Sequence, residues 1–246
     1  MNELQRTDQW FLARKGKITA SCFGLLMGNH KEPMTDDEIA LVKAINPKSR
    51  ATTKDVPFSQ QSYTYLDTKV MERLMSDEDY MRYHEMTDRP TQAMQWGTEH
   101  EADAAARYEF ETGVSVEDMP YIGLHGHDDY AGGSPDGKAG DGIVEYKCPY
   151  NPSVHLRHLL YKTPADLLAD NQDYYVQCQW NMIVTGAKWC DFVSWSNFFP
   201  SALQLKVLRI PYDEMMADEL LYREALAEEY IKSREHDILT SKTFIK

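Results

Sequence analysis

Ser134-Pro-Asp-Gly-Lys-Ala-Gly-Asp-Gly-Ile-Val-Glu-Tyr-Lys147 is the stretch on which the reading of this chain turns. Ser134-Pro-Asp-Gly137 is built from residues that preset or tolerate tight turns, and Gly142 to Lys147 has the composition of a strand. Side chains of a strand alternate faces, so Ile143, Glu145 and Lys147 share one face while Val144 and Tyr146 take the other. A turn at Asp136 ends one strand and begins a hairpin returning to Glu145, which brings the two acids together. Carboxylates 4 Å apart repel by about 4 kcal/mol at an effective dielectric near 20, so such a pair calls for a cation. Oxygen donors favour Mg2+, with Mn2+ as a substitute, over zinc. A cation so held polarises a phosphodiester oxygen and lowers the pKa of an attacking water, and Lys147 can orient that water or stabilise developing negative charge. Taken separately, the turn and the Glu-x-Lys pair also fit an ordinary turn and a solvated strand face. Their conjunction points to phosphodiester hydrolysis.

Working outward, the first hundred residues read as helical. Residues 3 to 13 form one helix, Thr19 caps a short second one ending at Gly28, and Thr35-Asp-Asp-Glu38 is a capping box opening a helix to Ile45. Asn46 to Pro57 reads as a polar loop, Gln60 to Met75 as a helix, and Ser76 as the cap of another. Ala93 to Thr112 is a helix closed by Gly113, with Glu99, Glu101 and Asp103 on it. Strands follow over Val114 to Leu124, Tyr130 to Gly133, Gly142 to Lys147, Lys188 to Asn197 and Leu203 to Ile210. Helices at His155 to Tyr161 and Asp173 to Thr185 lie between them, and Tyr212 to Arg234 closes the chain as an amphipathic helix. The fold class is α/β, with a central mixed β-sheet flanked by helices. One domain over 1–246 is expected, with a helical N-terminal part (1–92), a core (93–210) and a closing helix (212–235).

Composition bounds the function. A net charge of -13 is adverse for a nucleic-acid partner, although a basic groove can sit inside an acidic exterior and a carboxylate metal site adds negative charge of its own. Cys22, Cys148, Cys178 and Cys190 form no C-x-x-C pair, which argues against zinc, iron-sulfur and disulfide frameworks. No apolar run approaches the roughly 20 residues that span a bilayer, so no membrane partner is expected. Met1 to Trp10 is charged and polar where a secretory signal needs an apolar stretch, and a cytoplasmic location follows. His100-Glu101 lacks the second histidine of a zinc-protease motif, since Ala104 stands at that position. His125 and His127 suggest a transition-metal pair but have no third soft ligand nearby in sequence.

Pro135-Asp136 and Glu145-Tyr146-Lys147, separated by eight residues, resemble the signature of the PD-(D/E)xK nuclease superfamily. Met94-Gln-Trp-Gly-Thr-Glu-His-Glu101, Ser134-Pro-Asp-Gly137, Val144-Glu-Tyr-Lys-Cys-Pro149 and Gln177-Cys-Gln-Trp-Asn-Met182 resemble, in order, the blocks of the phage lambda exonuclease and YqaJ-type viral recombinase family. Trp10 and Arg14-Lys-Gly-Lys-Ile-Thr-Ala-Ser21 resemble its N-terminal motif, so the likeness runs from about residue 10 to 195, with no clear match between His30 and Gln92.

The resemblance implies a restriction-endonuclease-like core in which Asp136, Glu145, the Tyr146 carbonyl and Glu101 hold Mg2+ and Lys147 is the catalytic lysine. Glu99 and Glu101 cannot share a helix face, and Glu101 is the one taken to point inward. Gln177 supports the site, with Gln179 as a lesser substitute. Arg14 and Ser21 hold a 5′-phosphate, a task that suits a guanidinium fork. The family has a further acidic position ahead of the turn, for which Asp128 and Asp129 are the candidates. The implied activity is 5′-to-3′ exonuclease action on double-stranded DNA ends, giving 5′-mononucleotides and 3′ overhangs. A ring-shaped homotrimer and a single-strand annealing protein are the implied partners in recombination. A restriction-like or repair endonuclease on the same fold, or a non-catalytic DNA-binding module, are the alternatives.

Overall fold

In the computed structural model, residues 5–241 apart from 29 and 88 are described. The Thr7 hydroxyl accepts from the Trp10 amide and starts α1 (Asp8–Arg14), so this helix begins later than its sequence pattern; residues 3 and 4 lie outside the described residues. β1 (Ile18–Thr19) leads into a 3-10 helix, Ala20–Leu26, which Thr19 precedes without a side-chain capping bond. β2 (His30–Pro33) comes next, and then α2 (Asp36–Ile45), which opens on the expected capping box of Thr35 and Glu38. β3 (Thr53–Val56) pairs antiparallel with β2, so the polar loop expected from Asn46 to Pro57 contains a strand. Thr53, Asp55 and their partners Lys31 and Pro33 are largely exposed and polar, which leaves no hydrophobic alternation for a sequence reading to detect.

α3 (Gln60–Leu74), α4 (Asp77–Thr87) and α5 (Gln92–Thr112) follow the predicted order, α5 ending at Gly113 in the left-handed conformation (φ 68°). β4 (Ile122–Gly123), β5 (Ala131–Gly133), β6 (Gly137–Ala139) and β7 (Gly142–Lys147) come next. α6 (Pro152–Leu159), α7 (Pro164–Asp170) and α8 (Gln172–Thr185) precede β8 (Trp189–Trp195), β9 (Leu205–Pro211) and the long α9 (Glu214–Thr240).

The strands form three sheets among the described residues rather than one. The order β6-β7-β8-β9 is mixed, β7 and β8 being parallel and the outer pairs antiparallel; β1-β5-β4 is separate, as is β2-β3. The strand expected over Val114 to Leu124 reduces to β4 and a single bridge from Glu117 to Lys138. Pro120 offers no ladder donor there, and the alternation of Val114 and Val116 reflects packing onto the α5 side of the sheet. α7 is an element the sequence reading passes over.

The four-stranded sheet is covered on both faces. Val144, Tyr146, Val193 and Trp195 pack with Ala104 and Tyr108 of α5, while Ile143, Phe192, Leu208 and Ile210 pack with Cys178 and Met182 of α8. β7 therefore divides its side chains as its alternation requires, with Glu145 and Lys147 on the α8 face. A second core joins α3, α8, α9 and the 3-10 helix, where Phe23 stacks on Trp180 at 4.1 Å and the Trp180 indole donates to the Gly132 carbonyl at 3.0 Å. Trp180 thus ties the helical part to β5, immediately ahead of the Ser134 turn. Trp180→Ala is expected to lower the free energy of unfolding by about 3–5 kcal/mol in equilibrium guanidinium titrations, and a loss below about 1 kcal/mol would contradict this packing role.

Candidate metal and phosphate site

β6 and β7 form the hairpin predicted from the turn, with Gly137 opposite Val144. Tyr146 lies beyond the end of β6, and its amide donates to the Asp136 carboxylate at 2.7 Å. A residue's N–H and C=O leave a strand on the same side, so the Tyr146 carbonyl faces the edge where Asp136 stands. Gly137 is where β6 must begin: a Cβ there would lie 2.2 Å from Val116.

Glu145 is fully buried on the opposite face from Tyr146. Its Oε2 accepts from Gln177 Nε2 at 2.9 Å and lies 3.4 Å from Lys147 Nζ, and Oε1 accepts from Asn181 Nδ2. Lys147 also donates to Gln177 Oε1 at 3.0 Å, and its ammonium sits 5.0 Å over the Tyr174 ring. Gln177 is thereby oriented at both ends of its amide. Asn181 brings its oxygen against Gly133, where a Cβ would lie 2.2 Å away, so a larger residue would displace the amide from Glu145.

Glu101 is half-buried on α5, and its Oε2 pairs with Arg6 Nη2 at 2.9 Å; Glu99 is exposed. Arg6 holds the left-handed backbone conformation (φ 63°), which costs a residue with a Cβ about 1–2 kcal/mol. The carboxylates sense one another. Burial pushes Asp136 well above the usual carboxylate range, and repulsion from Glu145 and then Glu101 adds to it. Burial also raises Glu145, with Lys147 and the Asn181 bond pulling it partly back. Burial alone would lower the Lys147 ammonium, but Glu145 and Asp136 outweigh it and raise its pKa. A divalent cation suits the chemistry of this set: the acids are close enough for their charges to act on one another, and without a cation the two buried ones are driven toward holding protons.

Beside the carboxylates lies a basic recess. Arg14 stacks on Trp10 at 4.0 Å, and both the Arg14 guanidinium (3.4 Å) and the Trp10 indole (3.1 Å) donate to the Ser134 hydroxyl. Gln5 donates to the Pro135 carbonyl at 3.0 Å, and Lys17 lies 5.4 Å over the Tyr121 ring. The Tyr121 hydroxyl is buried without a hydrogen-bond partner among the described residues. Burial lowers the Arg14 pKa. Ser21 is exposed on the 3-10 helix, 4.0 Å from Cys22 Sγ, and the hydroxyl bonded to Arg14 belongs to Ser134.

Other residues singled out in the sequence stand elsewhere. Gln179 is buried and bridges the Pro211 carbonyl and the Asp213 amide. Asp128 and Asp129 are exposed, and their charges act on Lys17. The four cysteines are free. Asn181, Tyr174, Arg6 and Ser134 are contributors the sequence reading did not assign. Asn181 was open to detection, since Gln177 and Asn181 are four apart and share a helix face.

A family model described as YqaJ-like viral recombinase domain matches residues 9–188. No curated protein matches. Among solved structures the chain is similar to an alkaline exonuclease from Laribacter hongkongensis, with 27% identity and a TM-score of 0.69 over 96% of this chain and 97% of that one. It is similar to the same exonuclease in complex with dAMP, at 27% identity and a TM-score of 0.68 over 94% and 96% of the two chains. A phage-related exonuclease from Haemophilus somnus 129PT shares the fold, at 14% identity and a TM-score of 0.58 over 90% and 96%.

The raised Asp136 pKa has a thermodynamic sign. The folded chain binds that proton more tightly than the unfolded one, so stability of metal-free protein falls as pH rises from the ordinary carboxylate value through the raised one. Asp136→Asn keeps an acceptor for the Tyr146 amide and removes the repulsion. In EDTA at pH 7.5 its Tm should exceed the parent's, with the gap closing toward pH 4; calorimetry showing a lower Tm at pH 7.5 would overturn this account.

Proposed function

The chain belongs to the YqaJ-like viral recombinase family, and from that membership we propose that it is a Mg2+-dependent exonuclease degrading one strand of linear double-stranded DNA from 5′ to 3′. The products are 5′-mononucleotides and 3′ overhangs for recombination by strand annealing. The observation that carries the reading is the mutual repulsion of Asp136, Glu145 and Glu101 beside a Lys147 held by Gln177. A mononucleotide product agrees with the dAMP bound by the related alkaline exonuclease.

Asp136, Glu145, the Tyr146 carbonyl and Glu101 would hold the cation, which when bound lowers the pKa of a water and offsets charge on the scissile phosphodiester. Lys147 stays an ammonium because its pKa is raised, so it donates rather than acts as a base. Two of its three donors meet Gln177 and Glu145, and the third serves the attacking water or the phosphoryl oxygens. Asn181 and Gln177 fix the Glu145 carboxylate so that its orientation does not depend on the ion. Arg14, with Ser21 and the recess at Ser134, receives the terminal 5′-phosphate. Ser134 and Asp136 lie on one turn, so a phosphate anchored at the first sets the next phosphodiester at the second.

The proposal extends to Mn2+ as a substitute ion, a ring-shaped homotrimer around DNA, a single-strand annealing protein as partner, cytoplasmic action, and one nuclease domain over 1–246. No helix among the described residues is long and apolar enough to cross a membrane.

Strand-labelled linear duplex bearing 5′-phosphates should be digested from its 5′ ends only with Mg2+, and a closed circle should survive; cleavage of the circle would refute the exonuclease reading. Lys147→Ala should lower turnover by roughly 10²-fold or more at saturating Mg2+. Arg14→Ala should impair 5′-phosphorylated ends more than 5′-hydroxyl ends in parallel assays. Equal loss on both would remove its assigned role. Light scattering should give three subunits, against which a strict monomer would count.

A further inference from the structure

We infer that the chain has a second cation site, remote in sequence from Glu145, in which His127, Glu224 and Glu228 bind a borderline divalent ion of the zinc type. His127 Nδ1 lies 2.5 Å from Glu228 Oε2 and 3.6 Å from Glu224 Oε2, and one donor atom of each residue falls within 4.8 Å of the others. The two glutamates are four apart on α9 and so present their carboxylates on one face, while His127 comes from the β4–β5 connection.

Glu224 points to a ligand independently of the grouping. It is 1% exposed, and its Oε1 has no hydrogen-bond partner among the described residues. An orphaned buried carboxylate oxygen is expensive, and a metal ion is one of the few partners that satisfies it. Glu228, by contrast, is already met by His127 and Lys232. Burial, then the charge of Glu228 and a hydrogen bond between the two carboxyls, push the Glu224 carboxyl up to about 7, with His127 acting against them.

The donor set selects the ion. One imidazole nitrogen with two carboxylates is the mixed set that zinc accepts, whereas the oxygen-only set at Asp136 suits Mg2+. Tetrahedral zinc with ligands at about 2.0–2.1 Å separates them by about 3.3 Å. The His127–Glu224 spacing is near that value, and His127–Glu228 must open by under 1 Å. His127 is held by its backbone, its carbonyl accepting from the amides of Tyr130 and Ala131, so it is pre-positioned while Glu228 moves. Lys232 is half-exposed and can release Glu228 to solvent. Access from the His127 and Glu228 side is provided by a cleft of about 500 Å³ lined by these two with Lys232 and His236 among others. Binding the ion displaces the proton that Glu228 favours on His127, and the ion then balances the two carboxylates.

The ion would cross-link α9 to the connection that runs through β5 into the Ser134 turn, a stabilising role. The test uses full-length protein carrying Asp136→Asn and Glu145→Gln, so that the carboxylates of the other site do not contribute. After chelator stripping, competition with a chromophoric zinc indicator should show one Zn2+ bound per chain at micromolar or lower Kd and a raised Tm, with Mg2+ giving neither. Co2+ should produce visible bands of a low-coordinate nitrogen and oxygen site. Glu224→Gln, and separately His127→Ala, should each weaken Zn2+ at least tenfold; the second lies in a surface turn and gives the same reading should the first not fold. Absence of Zn2+ binding in the parent, or affinity unchanged in either folded variant, would overturn the site.

Discussion

Burial of the Glu145 carboxylate is the constraint around which the rest is arranged. An ionised group taken from water without partners is far too costly to keep, and here it is met by Gln177, Asn181 and Lys147 from two elements. Two of those three partners belong to α8, so the charge can be buried only if α8 lies across β7 in one rotation. That rotation is fixed by apolar packing: Cys178 and Met182 face the sheet, while Val176 and Trp180 enter the second core with Phe23 and Leu220. The polar pair and the two apolar pairs interleave around the helix. A helix this thoroughly buried shows little amphipathic contrast, and its role is to register one core against another.

Opposing this, the site stores unfavourable electrostatics. Asp136 is repelled by Glu145 and Glu101, and no nearby cationic side chain among the described residues neutralises all three. Lys147 is shared with Gln177, and Arg6 is committed to Glu101. Such a cluster is less stable than a neutral replacement, and it persists because the surrounding packing over-determines its geometry. On the proposed reading, the tension would also give the site affinity for a divalent ion, since binding would relieve a repulsion already present in the folded chain.

Much of this was legible from Ser134 to Lys147. Period-two alternation separates Glu145 from Tyr146, and helical periodicity keeps Glu99 and Glu101 off one face; both are local rules, and the structure leaves Glu99 exposed and Glu101 half-buried. The capping box at Thr35 and the glycine cap at Gly113 are equally local. What stayed hidden depends on chain crossings. Asn181 lies within a quoted block, but its partner is known only once α8 is laid on β7. Arg6 reaches Glu101 across 95 positions, and His127 meets Glu228 across 101, neither of which leaves a periodic trace. The division into three sheets follows from β1 and β4 having two residues each, too few for any alternation to be read.

The charge of -13 takes a different meaning once positions are assigned. Glu145, Asp191, Glu224 and Glu228 are buried and partnered or poised for a cation, so they contribute little to what a duplex meets. Arg6, Arg14 and Lys147 all lie around the Ser134–Asp136 turn or the carboxylates beside it. For a nuclease acting at ends, this distribution is consistent. An acidic exterior gives little counterion-release gain along the length of a duplex, whereas on the proposed reading a terminal phosphate at Arg14 would gain a desolvated guanidinium and an adjacent cation. Discrimination between an end and an interior then rests on where the positive charge is placed.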